Sequence, residues 1–470
     1  SMDFYRVNPE NNLTLSDKNT TTYKFKIDRN ADLISNIFFV FSIPDIYSSG
    51  NTEFRWIQNI GFNIIDNVSF FIGGSKIDEQ YGEWMYIWSE LTMVESKKNN
   101  FYEMVGNTKN LYNPKRDSGN GNVYPNKTVN DFIPSIFGRK IRVPLYFWFS
   151  SNPSLAVPLV ALQYHPVEIS ITLRKINELF TIIDREVGSI TGSKRIKTNP
   201  NENGAVYESR YGIHNFIKDP TFVDIINGER ALKSFPIDPY LDINYIYLSM
   251  DEMKRFAQTE HKYLINQVKK SSFKEQIGSI TLELLIHHPT TMLVVVVKRS
   301  DMEDFNKWNN FTNWIDQFTA PYKPGFYNEY FDNNIGNNNI LSEFANESNI
   351  DIRKNKNCIK SISLKLNGIE RFATQEGDFF NKCQSFLFSK GSPPEGVYPY
   401  SFSLDPFKYQ PSGSCNMSRF SSIQLEMETQ NVPIDPATGE HKYKFDINIY
   451  SINYNILRII SGQGNVEFSN

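Results

Sequence analysis

The sequence predicts an all-β chain built from two copies of one sandwich. Three observations point there. Aromatic residues make up 14% of the chain, with 36 Phe and 25 Tyr, and such side chains fit a pleated, half-buried surface. Apolar and polar residues alternate with period two from end to end, as in strands with one buried face. Two pairs of landmarks recur in the same order in the two halves, the mark of an internal duplication.

The alternating segments, in chain order, are Tyr23, Phe25, Ile27; Val167, Ile169, Ile171, Leu173; Ile280, Leu282, Leu284, Ile286; Ile362, Leu364, Leu366; Ile423, Leu425, Met427; and Tyr443, Phe445, Ile447, Ile449. Helical patterns are few. Tyr81, Trp84, Met85, Trp88 and Leu91 form the stripe of one apolar helix face. Ser249 and Glu252 form a capping box ahead of Met253, Phe256 and Ala257, which starts a second helix. Two long segments, Lys97 to Asp131 and Asp301 to Asn357, break the rhythm and read as large loops. In the second of these, Trp308, Phe311, Trp314, Tyr327 and Tyr330 call for a surface to pack on, in the same chain or in a neighbour.

The first landmark pair is Gly74 followed by Gly82-Glu83-Trp84, against Gly368 followed by Gly377-Asp378-Phe379. The second is Phe149-Ser150-Ser151-Asn152-Pro153 ahead of Ile169, against Phe402-Ser403-Leu404-Asp405-Pro406 ahead of Ile423. Gly74 and Phe149 are 75 residues apart, Gly368 and Phe402 only 34. A 41-residue insertion in the first copy, over the Asn/Gly/Pro-rich segment, accounts for the difference.

Composition narrows the function. A net charge of −3 and no long basic run argue against direct nucleic-acid binding, which needs clustered Lys and Arg. The longest strongly apolar run, Met292 to Val297, is far short of the ~20 residues of a spanning helix. Ser1 to Asn19 is polar and unlike a signal peptide, so synthesis in a cytosol is expected. Cys358, Cys383 and Cys415 lack CxxC or His spacing and read as reduced thiols.

No GxSxG, HExxH, Walker A or CxxC motif occurs. Adjacent His287 and His288, placed on a strand, would point to opposite faces and so not share a metal. His165, between Tyr164 and Pro166, reads as a hydrogen-bonded structural residue. No catalytic, cofactor-binding or metal-binding residue is therefore assigned, and no cofactor is expected. A glycosidase would need facing carboxylates, which sequence alone cannot reveal. Sequons stand at Asn12, Asn19, Asn67, Asn126, Asn310, Asn346 and Asn416, with Asn126 and Asn310 read as exposed loop positions and Asn67 as lying inside an apolar strand.

Five segments carry a resemblance: GGSKIDEQYGEWMYIWSELT (73 to 92), WFSSNPSLAVPLVALQYHPVEI (148 to 169), FAQTEHKYLINQV (256 to 268), QPSGSCNMSRF (410 to 420) and IYSINYNILRIISGQGNVEFSN (449 to 470). In this order they resemble the major capsid proteins of nucleocytoplasmic large DNA viruses, in the iridovirus, algal virus and giant virus branch. The resemblance implies two tandem eight-stranded antiparallel jelly rolls with short helices in the loops. Residues 1–235 would form the first, with 1–20 as an inward-facing arm, and 236–470 the second. It implies a structural protein and not an enzyme: a homotrimer forming a pseudo-hexagonal capsomer that tiles an icosahedral shell. Neighbouring capsomers, minor capsid proteins on the inner face and glycans on the outer loops are the implied partners, with no direct nucleic acid and no membrane insertion. Assembly in host cytoplasm and residence in the virion follow. The FAQTEHKYLINQV segment would open the second roll and fix the junction between sandwiches. A minor or paralogous capsid component, or a carbohydrate-binding jelly roll, is the alternative.

Overall fold

The structure, a computed structural model, describes residues 1–48, 52–114, 116–118, 121–125, 133–184, 194–196, 211–217, 235, 237–314, 317, 356–435 and 437–468. Its first half carries strands β1 (Met2–Val7), β2 (Thr21–Ile27), β3 (Leu33–Ile43), β4 (Thr52–Trp56), β5 (Ile65–Ile72), β6 (Ser75–Tyr81), β7 (Arg116–Ser118), β8 (Gly121–Val123), β9 (Arg139–Pro144), β10 (Val157–Pro158), β11 (Val167–Leu173), β12 (Phe180–Asp184), β13 (Lys194–Ile196) and β14 (Tyr240–Ile246). The second carries β15 (His261–Gln276), β16 (Ser279–Glu283), β17 (Pro289–Arg299), β18 (Ile359–Leu366), β19 (Ile369–Glu376), β20 (Val397–Ser401), β21 (Cys415–Asn416), β22 (Ile423–Thr429), β23 (Phe445–Ile460) and β24 (Gln463–Val466). Four helices matter below: α1 (Gly82–Thr92), α2 (Glu95–Val105), α3 (Met250–Gln258) and α4 (Ser385–Phe388). A π-helical turn, Phe379–Gln384, runs directly into α4.

The two halves repeat one antiparallel sandwich. In the first, the order β1-β14-β3, with β9 and β10 both on β3, faces a sheet ordered β2-β11-β5-β6. In the second, β15-β23-β17, with β20 and β21 both on β17, faces β16-β22-β18-β19. Reading across, β1 answers to β15, β14 to β23, β3 to β17 and β5-β6 to β18-β19. The sheets differ in accessories: β24 extends the second half's larger sheet, and a separate sheet β13-β12-β4 serves the first.

Both landmark pairs fall on equivalent places. The hairpins β5-β6 and β18-β19 turn at Gly74 and Gly368, both at positive φ, and each leads into a helical segment. At the head of α1 a Cβ on Gly82 would stand 2.1 Å from the Phe62 carbonyl oxygen and 2.3 Å from that of Ile65, so a glycine is required there. The Phe149 and Phe402 segments are the turns after β9 and β20. Each leads through a two-residue strand and a 3₁₀ turn into the alternating strands β11 and β22.

Alternation places every second residue in a core. Tyr23, Phe25 and Ile27 face Val167, Ile169 and Ile171 across the β2-β11 ladder, all buried. Ser249 caps α3, its hydroxyl accepting from the Glu252 N–H while the Glu252 carboxylate accepts from the Ser249 N–H.

Four expectations change. Strand β14, at residues 240–246, pairs with β1 and β3, so the first half's sheet continues past residue 235. Met2–Val7, expected in an arm, pairs with β14 along its whole length. The segment from Lys97 is not loop throughout: α2 covers its start and buries Phe101 and Val105, because an apolar residue every four positions suffices to seat a helix on a sheet end. His287 and His288 lie between β16 and β17 rather than on a strand, and His288 takes a left-handed φ of 72°. Of residues 301–357, 315–316 and 318–355 lie outside the described residues, as do Tyr327 and Tyr330.

Candidate functional site

The run Met292 to Val297 locates the main feature. In β17, Leu293, Val295 and Val297 join the core of the second sandwich, whereas Met292, Val294 and Val296 join the hydrophobic cluster of the first. A strand buried on both faces loses its polar alternation. The outward face of the second half's larger sheet is thus packed under the first half, and the two sandwiches meet through a core-like junction.

Helix α1 seals it. Trp84 is buried, its ring 5.1 Å from that of Tyr450 on β23 and 5.6 Å from Trp88. Beside it the buried Glu83 carboxylate reaches three groups of the second sandwich. Oε2 accepts from Lys298 Nζ at 2.8 Å; Oε1 accepts from Asn448 Nδ2 at 2.7 Å and from the Tyr450 hydroxyl at 2.8 Å. Burial acts to raise this carboxyl, but the charges of Lys298 and Lys270 and the donated hydrogen bonds outweigh it and bring it down to about 2. Lys270, on β15, lies 4.8 Å above the Tyr81 ring, and burial lowers its own affinity for a proton.

A second buried carboxylate has no cationic partner among the described residues. Asp78 on β6 accepts from the Val268 N–H at 3.1 Å and from Gln80 Nε2 at 2.8 Å. Burial raises its carboxyl to about 7, against the lowering effect of those hydrogen bonds and with a further upward push from Glu79. Gln267 Nε2 donates to the Ile77 carbonyl, and Asn455 Nδ2 to Gln267 Oε1 at 2.8 Å. Gln267 and Val268 close the FAQTEHKYLINQV segment, so side-chain and backbone groups of that segment do bind the first sandwich.

The start of the 301–357 segment wedges between the halves. Asn306 Nδ2 donates to the carbonyls of Asn177 and Phe180, each at 2.8 Å, and Trp308 Nε1 to that of Glu178 at 2.9 Å. The Arg174 guanidinium stacks 4.0 Å over the Trp308 ring. Asn313 Oδ1 accepts from the Tyr443 hydroxyl at 2.8 Å. Asn310 is 4% exposed and its Nδ2 donates to the Trp314 carbonyl at 2.8 Å. The expectation of an exposed sequon at Asn310 is therefore corrected: a glycan has no room there. Asn126 and Asn346 lie outside the described residues; Asn12, Asn19 and Asn416 are exposed.

At the far end the β23-β24 hairpin docks on the first half. The Tyr164 N–H donates to the Gly462 carbonyl at 2.9 Å, and His165 Nδ1 lies 3.2 Å from the Gly464 backbone nitrogen. A Cβ on Gly73 would stand 2.4 Å from the His165 ring, so that histidine fills a fixed slot. His261 Nε2 bonds the Phe256 carbonyl oxygen at 2.7 Å, joining α3 to β15. Cys358 is buried, Cys415 partly buried and Cys383 exposed, all as thiols. Among the described residues no cluster of three or more His, Cys, Asp or Glu is arranged to hold a metal ion, and no helix is long and apolar enough to cross a membrane.

Sequence reasoning noted Glu83, Met292 to Val297 and Trp308 without seeing that they meet. The one available signal was the continuous apolar run, which marks a strand covered on both sides.

Comparison with known proteins gives a consistent picture. Two family profiles match: "Large eukaryotic DNA virus major capsid protein" over residues 252–465, and "Major capsid protein N-terminus" over residues 2–209. The chain is 29% identical to the major capsid protein of Phaeocystis pouchetii virus, covering 94% of this chain and 89% of that protein. It is 27% identical to that of Paramecium bursaria Chlorella virus 1, covering 95% and 87%. A capsid chain of the latter virus superposes with a TM-score of 0.67 at 23% identity, over 100% of this chain and 97% of that one. The shared fold is the double jelly roll.

Proposed function

The chain belongs to the major capsid protein family of large eukaryotic DNA viruses, a family of structural proteins, and from that premise we propose that three copies close into one pseudo-hexagonal capsomer of the virion shell. The observation that carries this reading is the core-like junction. Two matching sandwiches locked into one rigid body present two of six similar sides, and three such bodies complete a hexagonal outline that tiles a facet with few gaps. Loose linkage between sandwiches would not hold that outline.

We place the division between the rolls at the α3 segment, after β14 and before β15. On this reading glycans of the outer face would be carried on exposed Asn side chains. The N-terminal residues lie toward minor capsid proteins on the inner side. Neighbouring capsomers meet along sandwich sides, and synthesis and assembly take place in host cytoplasm. Neither nucleic acid nor a bilayer interior is a direct partner.

Light scattering coupled to size exclusion tests the reading. The expected mass is about 164 kDa, three times the 54.5 kDa of the chain, unchanged on dilution, as obligate interfaces of roughly 2,000 Å² or more behave. A 54.5 kDa species at every concentration would defeat it.

A further inference from the structure

The buried groups beside α1 hold the parts of a covalent bond as well as an ion pair. In the β17-β23 ladder Val296 stands opposite Asn448, so Lys298 is the diagonal neighbour of Asn448, two residues along on the same face. Diagonal positions of an antiparallel pair lie about 7 to 8 Å apart, a gap that an extended lysine and a short amide span between them. Both side chains turn to one carboxylate: Glu83 Oε2 is 2.8 Å from Lys298 Nζ, and Glu83 Oε1 is 2.7 Å from Asn448 Nδ2.

A fourth group approaches from the other side. Ser272 on β15 stands opposite Asn448 in the β15-β23 ladder, and its hydroxyl donates to the Asn448 amide oxygen at 2.8 Å. The site is dry and walled by rings. Glu83, Lys298 and Asn448 are all buried, the Tyr450 hydroxyl donates to Glu83 Oε1, and Lys298 Nζ lies 5.8 Å from the centre of the Trp308 ring.

Each contact is one that attack of an amine on an amide needs. The amine must lose a proton, the amide oxygen must be stabilised as it gains charge, and the amide nitrogen must gain a proton to leave. Glu83 touches both the amine and the leaving nitrogen, so one carboxylate can take the proton from the first and give it to the second. The Ser272 hydroxyl already points at the oxygen. Fixed contact between the two strands replaces a chance encounter. Glu83 is a weak base while Lys298 is charged, because that charge and the charge of Lys270 are what hold its carboxyl down against burial. Passing one proton from Nζ to Oε2 removes two buried charges together, and burial favours the neutral pair.

We propose that Lys298 and Asn448 join in an isopeptide bond within the chain, with Glu83 as the proton carrier. Lys298 Nζ, having given a proton to Glu83, attacks Asn448 Cγ. The Nζ–Cγ bond forms, the Cγ–Nδ2 bond breaks, and Nδ2 departs as ammonium. A lysine ammonium and a primary amide thus become a secondary amide and free ammonium; the protons and the charge balance, no electron is transferred and no co-reactant is needed. The step happens once per chain, on the chain itself. It closes residues 298–448 into a covalent ring, so that β17 and β23 stay joined under α1 even where the chain between them is cut. The inference rests on the junction inside the chain and is independent of the trimer reading.

Mass spectrometry of the full chain under denaturing conditions, fresh from purification and after incubation at neutral pH, tests it. The mass should fall about 17 Da below that of the unlinked chain, one ammonia lost to a covalent modification. Trypsin should leave Lys298 uncut, and fragmentation should show a branched peptide joining it to Asn448. Glu83→Gln, which keeps the size of the side chain but not its basic oxygen, and Lys298→Arg should both retain the full mass. Ser272→Ala should slow bond formation on the order of a hundredfold, as loss of a donor to a developing oxyanion does. A native chain that keeps its full mass at every time, with Lys298 cut by trypsin, overturns the proposal. So does the same mass loss located at another asparagine, which is the mark of succinimide closure. A branched peptide in Glu83→Gln overturns the role given to Glu83. If the variants fail to fold, the branched peptide of the native chain decides alone.

Discussion

The helix of the first sandwich and its counterpart in the second start from the same signature and end in opposite surroundings. Gly82-Glu83-Trp84 is buried on every side, with the Glu83 side chain 9% exposed; in Gly377-Asp378-Phe379 the Asp378 side chain is 48% exposed and pairs with Lys382. Inside the junction a carboxylate must find cationic and polar partners, because burial without them is prohibitive. On the second helix the carboxylate stays half in solvent, with Lys382 and the Asn357 side chain as its partners. The difference teaches that duplication fixes the local fold, while the neighbour packed against it fixes the chemistry each copy carries.

Substitution at the paired acidic positions should break the comparison most sharply. Glu83→Ala leaves Lys298 buried beside Asn448 and Tyr450 without its acceptor, an expected loss of about 3 to 5 kcal/mol. Asp378→Ala removes a solvated pair and should change stability by no more than about 0.5 kcal/mol. Denaturant unfolding of both variants measures the gap. Equal losses would mean that Glu83 does not join the sandwiches.

The aromatic positions should follow the same order with a smaller contrast. Trp84→Ala empties a site between Trp88 and Tyr450, and about 3 to 5 kcal/mol is expected. Phe379, half-buried against Phe380, should lose about half as much when truncated, since less area returns to water. A melting temperature unmoved by Trp84→Ala would contradict its placement in the junction.

The smallest effect is on pH dependence, which separates the two buried carboxylates. Asp78 is raised in the fold from 3.8 to about 7. Its neutral form favours the folded state, so that contribution is complete below about pH 4 and is lost as pH rises through about 7. Glu83 is lowered from 4.5 to about 2, so its contribution is present above about pH 4.5 and is lost as pH falls toward 2. Unfolding midpoints of the native chain should therefore drift downward between about pH 4 and 7, through Asp78. Asp78→Asn should flatten that drift and leave the acid limb in place. A drift identical in the variant would assign it to another group.

Much of the architecture was legible before any coordinates. Period-two alternation located β2, β11, β18, β22 and β23 because each of these strands turns an alternating residue set into a core. The paired landmarks held because tight turns and helix starts restrict backbone conformation locally, as the close approach at Gly82 does. Legibility failed where a residue's surroundings come from far along the chain. Asn310 reads as a loop sequon, yet its fragment is wedged between strands of both halves. His287 and His288 read as strand continuation because their neighbours alternate, but the chain turns there and His288 occupies a left-handed position.

By itself the sequence determined the all-β class, the duplication, the start of α1 and α3, and a family resemblance, since these rest on local periodicity, turn chemistry and ordered motifs. Only the tertiary structure decided which alternate faces are covered twice. The sequence shows Met292 to Val297 as an apolar run, but only the packing places Val294 in one cluster and Val295 in the other. It likewise took the folded chain to bring Glu83 to Lys298, 215 positions away. The physical reason is that burial and charge pairing depend on neighbours in space, which a one-dimensional pattern of hydrophobicity does not encode.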